Sequence, residues 1–229
     1  MFKSEVTDTK VILTVFGIKL TFKKPFRIKN NKILLCDKNG NERKVNKIKG
    51  LKIVFKGQNA VIRVKEPYKF NHCQILLGDD CSASFGKNVE LRNVDIRAVA
   101  KNSVLEIGDA LSWGGGGNIF MSPNPDTKVI VGNNCLFADH LYISTSDGHK
   151  IYAKDDAEQK AINMGGDIII GNHVWLARYT TVLKNSKIAD NCVVGANSLI
   201  NKKYEEENIV LAGQPAKKVK ENINWNINF

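Results

Sequence analysis

The sequence lacks the features that define several other classes of protein. No run of about eighteen apolar residues occurs, so there is no candidate membrane-spanning helix. The first residues, Met-Phe-Lys-Ser-Glu, do not form the apolar core of a signal peptide. The five cysteines are an odd number without a C-x-x-C pair, which argues against a disulfide framework and a zinc knuckle. We therefore expect a cytoplasmic protein whose cysteines are small wall or core residues.

The positive charge is concentrated at one end of the chain. The formal net charge is +11, and residues 1–70 hold 18 Lys and Arg against 5 Asp and Glu. Residues 71–229 hold 16 against 18. Such a segment attracts a polyanion or an anionic membrane surface, although it could also serve solubility alone. Aromatic residues do not alternate with the basic ones, so no nucleic-acid partner is predicted.

An apolar residue returns at every sixth position over much of the second half. Twelve of these thirteen positions are apolar and Pro125 is the exception: Ile107, Trp113, Ile119, Pro125, Val131, Phe137 and Ile143, then Ile170, Leu176, Val182, Ile188, Val194 and Ile200. Neither a helix nor a flat strand has this period, whereas a parallel β-helix does, with one short strand and one turn on each side. The pattern predicts an all-β chain built on such a solenoid, with three sides of six residues in each coil.

The ladder also predicts the domain organisation. Residues 71–204 form the β-helix, and a polar loop is inserted at 144–168, where the spacing from Gly132 to Gly171 is not a multiple of six. The phase also slips between residues 78 and 106, where we expect a loop or bulge. Residues 1–70 are expected to form a basic, β-rich capping segment with a hairpin turn at Asn39-Gly40. Residues 205–229 are expected to form a C-terminal tail.

Three motifs, together with the six-residue ladder, resemble a known family. They are Ser146-Asp147-Gly148-His149, His173-Val174-Trp175-Leu176-Ala177 and Ala212-Gly213-Gln214-Pro215-Ala216-Lys217. The combination resembles the hexapeptide-repeat acyltransferases, and most of all the bacterial capsule, lipooligosaccharide and polysialate O-acetyltransferases. The chain departs from the family at Ala177 and Asn185, where Gly is usual. Asn tolerates the left-handed turn conformation that Gly would adopt.

The resemblance implies a left-handed parallel β-helix and an acetyl-CoA-dependent O-acetyltransferase. It also implies a homotrimer with active sites between subunits. The acceptor would be a hydroxyl group of a bacterial cell-surface sugar, free or in a polysaccharide, which can be anionic. Peripheral contact with the inner membrane surface would fit the basic N-terminal segment. No metal site is implied.

The resemblance also assigns roles to individual residues. His149 would be the general base and Trp175 the wall beside the acceptor and the thioester arm. The backbone near Ala177 and Gly195 would hold the pantetheine arm, and the phosphates would meet Lys202, Lys217 and Lys220. Asp147 either orients His149 or is a plain turn residue. His140 and His173 are expected at solvent-facing corners.

Three other functions remain to be compared with this one. An N-acetyltransferase acting on an amino sugar or an antibiotic would use the same scaffold and donor. A metal-dependent hydratase on a β-helix needs three His ligands, two of them five residues apart, and no pair among His72, His140, His149 and His173 has that spacing. A non-catalytic binding module would have no use for His149 and Trp175 together.

Overall fold

The computed structural model describes residues 30–227, and before them the backbone of three strands. These are β1 (Phe2–Val6), β2 (Lys10–Val15) and β3 (Ile18–Lys23), which pair antiparallel in the order β1-β2-β3. The side chains of residues 1–29 lie outside the described part.

All other strands belong to three long sheets that form the sides of one solenoid. The nine-stranded first sheet contains β4 (Lys32–Cys36), β5 (Glu42–Lys44), β7 (Val61–Lys65), β10 (Ser82–Phe85), β13 (Val104–Ile107), β16 (Lys128–Val131), β19 (Ile168–Ile170), β22 (Ser186–Ile188) and β25 (Lys203–Tyr204). The eight-stranded second sheet contains β8 (Tyr68–Asn71), β11 (Val89–Arg92), β14 (Ser112–Trp113), β17 (Leu136–Phe137), β20 (Trp175–Leu176), β23 (Val193–Val194), β26 (Val210–Gly213) and β27 (Ala216–Lys220). The seven-stranded third sheet contains β6 (Leu51–Phe55), β9 (Cys73–Leu77), β12 (Val94–Ala98), β15 (Gly117–Met121), β18 (Leu141–Ser144), β21 (Thr181–Leu183) and β24 (Leu199–Ile200).

The predicted parallel β-helix is confirmed. Each coil contributes one strand to each sheet in turn, and neighbouring coils pair in parallel throughout. The described residues contain no helix, and so none that could cross a membrane. The parallel ladder begins with β4, which pairs with β7 from Lys32 onward, inside the segment expected to be only a cap. The expected hairpin turn at Asn39-Gly40 connects β4 to the antiparallel β5.

The predicted six-residue markers form the core of the prism. All twelve apolar markers are buried. The markers of neighbouring coils stack on one another. Trp113, for example, pairs with Phe137, and their rings pack edge to face with centroids 5.3 Å apart. Pro125, the single exception in the ladder, is the single marker exposed to solvent. Burial of these side chains supplies the main favourable free energy of folding.

Some coils are longer than the expected three groups of six. Val104 pairs with Lys128, which lies four groups of six further along the chain, whereas Ile168 pairs with Ser186, only three groups further on. A coil of four groups keeps the six-residue phase, because its length is still a multiple of six. The extra group of six forms a longer loop at one corner, and Pro125 lies in such a loop. The exception in the ladder is therefore a corner residue and not an interruption of a strand.

The slipped phase between residues 78 and 106 has a related cause. Val61 pairs with Ser82, and Ser82 pairs in turn with Val104. Neither offset is a multiple of six, so each of these coils shifts the marker row along the sequence. The parallel pairing itself continues without a break through both coils. The expected loop or bulge is thus a change in corner length, which leaves the sheets intact.

The recurring aliphatic-Gly pairs lie where successive coils approach closely at one corner. A Cβ on Gly108 would come within 2.8 Å of the Gly132 backbone, and one on Gly132 within 2.6 Å of Gly171. The Asx side chain after each such glycine accepts a hydrogen bond from the preceding coil, as when the Asn133 backbone N–H donates to Asn172 Oδ1 at 2.9 Å. Many other corners hold Asn with positive φ, including Asn185 at 60°, as expected for that departure from the family.

The cysteines are unpaired and line the interior as expected. Cys73, Cys81, Cys135 and Cys192 are buried, and Cys36 is half-buried. The Cys81 thiol contacts the Ala100 carbonyl oxygen of the next coil at 3.0 Å. Burial raises the pKa of the Cys135 thiol to about 11, so at neutral pH it is protonated and a poor nucleophile.

Adjacent isoleucines on β19 allow a matched test of this architecture. Ile170 points inward and is 1% exposed, whereas Ile169 points outward and is 39% exposed. We expect Ile170→Ala to lower the free energy of unfolding by about 2–5 kcal/mol and Ile169→Ala by less than about 1 kcal/mol. Urea unfolding of both variants measures the difference. Equal losses would contradict the inward assignment of the marker row.

Candidate active site

The polar insertion leaves the prism at one corner. It runs from the end of β18 in the third sheet to the start of β19 in the first, between Ser144 and Ile168. The parallel pairing continues across it, because Ile130 still pairs with Ile169 on its far side. At its root Thr145 is buried and its hydroxyl contacts the Thr127 hydroxyl at 3.2 Å. The insertion thus starts from a rigid base without interrupting the ladder.

A compact set of hydrogen bonds shapes the part of the insertion that carries His149. The Asn163 side-chain amide donates to Asp147 Oδ2 at 2.9 Å and to the His149 carbonyl oxygen at 2.8 Å. Its own oxygen accepts from the Ile151 N–H at 2.7 Å. One side chain therefore contacts the segment before, at and after the histidine. No sequence pattern indicated this role, because Asn163 lies fourteen residues away in an irregular stretch.

Lys184 ties this set to the prism. Its ammonium group, on the corner after β21, contacts Asp147 Oδ2 at 2.6 Å and the Asn163 carbonyl oxygen at 2.9 Å. The Lys184 side chain is only 18% exposed. The hydrogen bond from Lys184, followed by that from Asn163, lowers the pKa of the Asp147 carboxyl group. Asp147 thus accepts from Lys184 and Asn163, and it shapes the loop around His149 through them.

His149 itself is exposed on the insertion. The hydrogen bond found at this residue is the one that its backbone carbonyl accepts from Asn163. Its imidazole is therefore presented to solvent by a backbone that is held on both sides. His140 and His173 lie at corners with φ of 58° and 53°. His140 faces solvent as expected, whereas His173 is half-buried.

Trp175 lies on the outer face of the second sheet, on β20. Its indole is half-buried, because the C-terminal tail returns over it. Trp225 stacks on His173 at a centroid distance of 4.2 Å and lies 6.0 Å from Trp175. The Trp225 ring N–H donates to the His173 carbonyl oxygen at 2.9 Å. An aromatic wall of three rings results, and Trp225 is a member that the repeat pattern could not reveal, since it lies beyond the last coil.

Within one chain the structure does not bring His149 and Trp175 together on one side. The insertion leaves the corner between the third and first sheets, whereas Trp175 belongs to the second sheet, which lies opposite that corner. A site that uses both residues therefore needs a second copy of the chain.

Ala177 and Gly195 lie side by side in a row of small residues. They follow β20 and β23 on adjacent coils, and the row continues through Ala138 on one side and Ala212 on the other. All four are partly exposed. Beneath them the buried Thr180 hydroxyl donates to the Ala177 carbonyl oxygen at 2.8 Å and lies 3.4 Å from that of Gly195. No side chain in this row is longer than a methyl group, so the main chain lies close to the surface, and we call the row the groove.

Two of the three candidate lysines lie near the end of this groove. Lys217 pairs with Ala212, the last small residue, and Lys220 pairs with Val210 on the same edge. Lys202 lies apart from them, at the corner between β24 and β25, with its ammonium 5.4 Å from the centre of the Tyr204 ring. All three lysines are exposed.

A cavity beside the returning end of the insertion contains neither His149 nor Trp175. It has a volume of about 530 Å³ and lies near Gly166, Asn185 and Lys203. Within residues 30–227 no three His, Cys, Asp or Glu side chains are grouped closely enough to hold a metal ion.

Comparisons with known proteins agree with the fold. Residues 167–202 match the family model described as bacterial transferase hexapeptide (six repeats), and they lie in the most regular coils. A polysialic acid O-acetyltransferase of Neisseria meningitidis is 34% identical over 190 residues, covering 74% of this chain and 86% of that protein. The crystal structure of a polysialic acid O-acetyltransferase has a TM-score of 0.71 at 29% identity, covering 87% of this chain and 89% of that one. A second such enzyme has the same fold, with a TM-score of 0.72 at 24% identity, covering 86% and 85%.

The contact between Lys184 and Asp147 predicts how the insertion loses order. We expect Lys184→Met to speed amide hydrogen exchange in residues 147–163 about tenfold or more, because a partly buried charge-assisted hydrogen bond is lost. Lys187→Met is the matched control, since it removes an exposed pair with Glu205, which directly follows β25. Equal exchange in the two variants would contradict the role of Lys184.

The same contact has a defined pH dependence. Because the pKa of Asp147 is lowered in the folded protein from its ordinary value of 3.8, the stabilisation is present above that value and is lost as pH falls through the folded pKa. The ratio of protection between wild type and Lys184→Met should therefore stay constant from neutral pH down to about 5 and shrink below 3.8. A ratio that already falls near pH 6 would show that another group controls the loop.

Proposed function

The chain belongs to the hexapeptide-repeat acyltransferases, in the branch that contains the polysialic acid O-acetyltransferases, and on that premise we propose that it moves an acetyl group from acetyl-CoA to a hydroxyl group of a bacterial cell-surface sugar. The observation that carries the proposal is the exposed His149 imidazole on the insertion between β18 and β19. Hydrogen bonds from Asn163 and the contact between Lys184 and Asp147 fix the backbone around it. Insertions on rigid solenoids are where function usually lies.

His149 acts as the general base in this proposal. Its neutral imidazole takes the proton of the acceptor hydroxyl while the hydroxyl oxygen bonds to the thioester carbonyl carbon. The carbonyl oxygen then carries the negative charge, which hydrogen-bond donors stabilise. When the intermediate collapses, the carbon–sulfur bond breaks, the ester remains, and the imidazolium returns its proton to the leaving thiolate.

Trp175 forms the wall beside the acceptor and the thioester arm. Its indole offers a flat apolar surface, and Trp225 and His173 limit the positions that it can take. Because His149 and Trp175 lie on different sides of one prism, we propose that each active site combines the insertion of one copy with the second sheet of its neighbour in a homotrimer. A closed cyclic arrangement makes such sites equivalent.

The donor fits the groove formed by small residues. Ala177 and Gly195 leave the main chain accessible to a thin pantetheine arm, and the groove ends at Lys217 with Lys220 beyond it. Lys218, between them, is neutralised by Glu206 at 2.9 Å and Glu221 at 2.8 Å, which leaves its two neighbours as the cations for phosphate groups. Lys202, at a different corner, meets a phosphate only if the donor is shared between copies.

The acceptor that we favour is an anionic cell-surface glycan. A relative that covers 74% of the chain and a solved structure that covers 87% of it are polysialic acid O-acetyltransferases, and residues 1–70 carry a large excess of positive charge. We place the reaction in the cytoplasm, since five unpaired cysteines suit a reducing compartment. An amino sugar or an amine-bearing antibiotic is the competing acceptor.

Release of thiol from acetyl-CoA across a panel of sugar hydroxyl and amine acceptors tests the proposal. We expect transfer to an anionic glycan hydroxyl, and a loss of about 10²–10⁴-fold in kcat for His149→Ala with an unchanged melting temperature. His72→Asn is the matched control, because His72 is an exposed corner residue with φ of 52° that Asn adopts readily. Near-wild-type turnover in His149→Ala would refute the base, and turnover with amines alone would refute the acceptor class.

A further inference from the structure

A second cavity lies at the opposite end of the solenoid from the C-terminal tail. It has a volume of about 410 Å³ and lies beside the first coils. Its lining is Lys38, Lys49, Glu66, Pro67, Tyr68, Lys69 and Phe70. Three cations and one carboxylate therefore lie around the half-buried Tyr68, whose ring packs on that of the buried Phe70 at a centroid distance of 5.0 Å.

The cations of this cavity are largely free to bind a ligand. Among the salt bridges of residues 30–227, none involves Lys38 or Lys49, whereas Lys69 contacts Glu90 at 3.3 Å. Lys38 and Lys49 are exposed and Tyr68 is half-buried. Positive side chains beside an aromatic face suit a sugar that carries a carboxylate, because the ring packs on its apolar face while the ammonium groups meet its charge.

The cavity is aligned with the proposed active site. Lys69 and Trp175 occupy the same outward row of the second sheet, because Lys69 pairs with Glu90, Glu90 with Ser112, Ser112 with Leu136 and Leu136 with Trp175. Four strand spacings separate them, which is about 19 Å. A polymer lying along the prism axis on this face can therefore occupy both places at once.

We propose that this cavity is a remote binding site for the acceptor, which holds a carboxylate-bearing sugar of an anionic glycan while another sugar of the same chain lies at Trp175. The inference rests on the proposed function and names the form of its substrate, a polymer rather than a single sugar. Two contacts on one chain raise its apparent affinity above that of either contact alone.

Binding measurements without acetyl-CoA test the site separately from catalysis. The probes are polysialic acid chains, one pool long enough to span about 19 Å and one too short to do so. We expect Lys38→Gln/Lys49→Gln to raise the Kd for the long pool about 3- to 20-fold and to leave that for the short pool unchanged, since two exposed charge contacts are lost. Added salt should reduce the difference in Kd for the long pool between wild type and the double variant. Tyr68→Ala should also weaken binding of the long pool.

The matched control is Lys56→Gln/Lys87→Gln. It changes the net charge equally at two exposed lysines that do not line the cavity. If both double variants weaken binding of the long pool alike, or neither does, the site is refuted. Loss of binding to vesicles of anionic lipid, with glycan binding intact, would assign the cavity to a membrane surface and also refute it. If wild type binds the long pool through the cavity but transfers no acetyl group, the proposed function fails while the site stands.

Discussion

The parallel hydrogen-bonded stacking of one coil on the next is the constraint on which the rest of the molecule depends. Each coil leaves its backbone edges open and its apolar side chains uncovered unless a neighbour closes them. At each end one of the three sheets is extended by an antiparallel strand, β5 on the first sheet and β27 on the second, whose exposed residues are largely charged. Inward positions must hold apolar residues in register, and only the corners can change length. The insertion that carries His149 is such a corner, enlarged without loss of register.

The same constraint explains how much of the fold the sequence could predict. Inward markers such as Trp113 and Val182 were visible because they repeat, and corners such as Asn185 because few residues accept a positive φ. Coil length was not visible, since coils of three and of four groups of six keep the same phase. The start of the parallel ladder at Lys32 could not be predicted, because the lengths of the first coils are not multiples of six. Their inward residues therefore do not follow the six-residue phase.

The candidate site was predictable only in part for a related reason. His149 and Trp175 stand in motifs next to the ladder, so the sequence indicated them. Their supporting contacts do not repeat: Asn163 lies in an irregular stretch, and Trp225 reaches back from beyond the last coil. In the site that we propose, the second sheet of one copy supplies the wall and the groove, and the insertion of its neighbour supplies the imidazole.

The sharing of each site between two copies is tested most directly by mixing two variants that we expect to be inactive, His149→Ala and Trp175→Ala, after dissociation and reassembly. If each site takes its imidazole from one copy and its indole from the next, random mixed trimers contain intact sites at about a quarter of their interfaces, and activity returns to roughly that fraction of wild type. Activity no higher than the sum of the separate variants would contradict the account, because both residues would then serve within one chain.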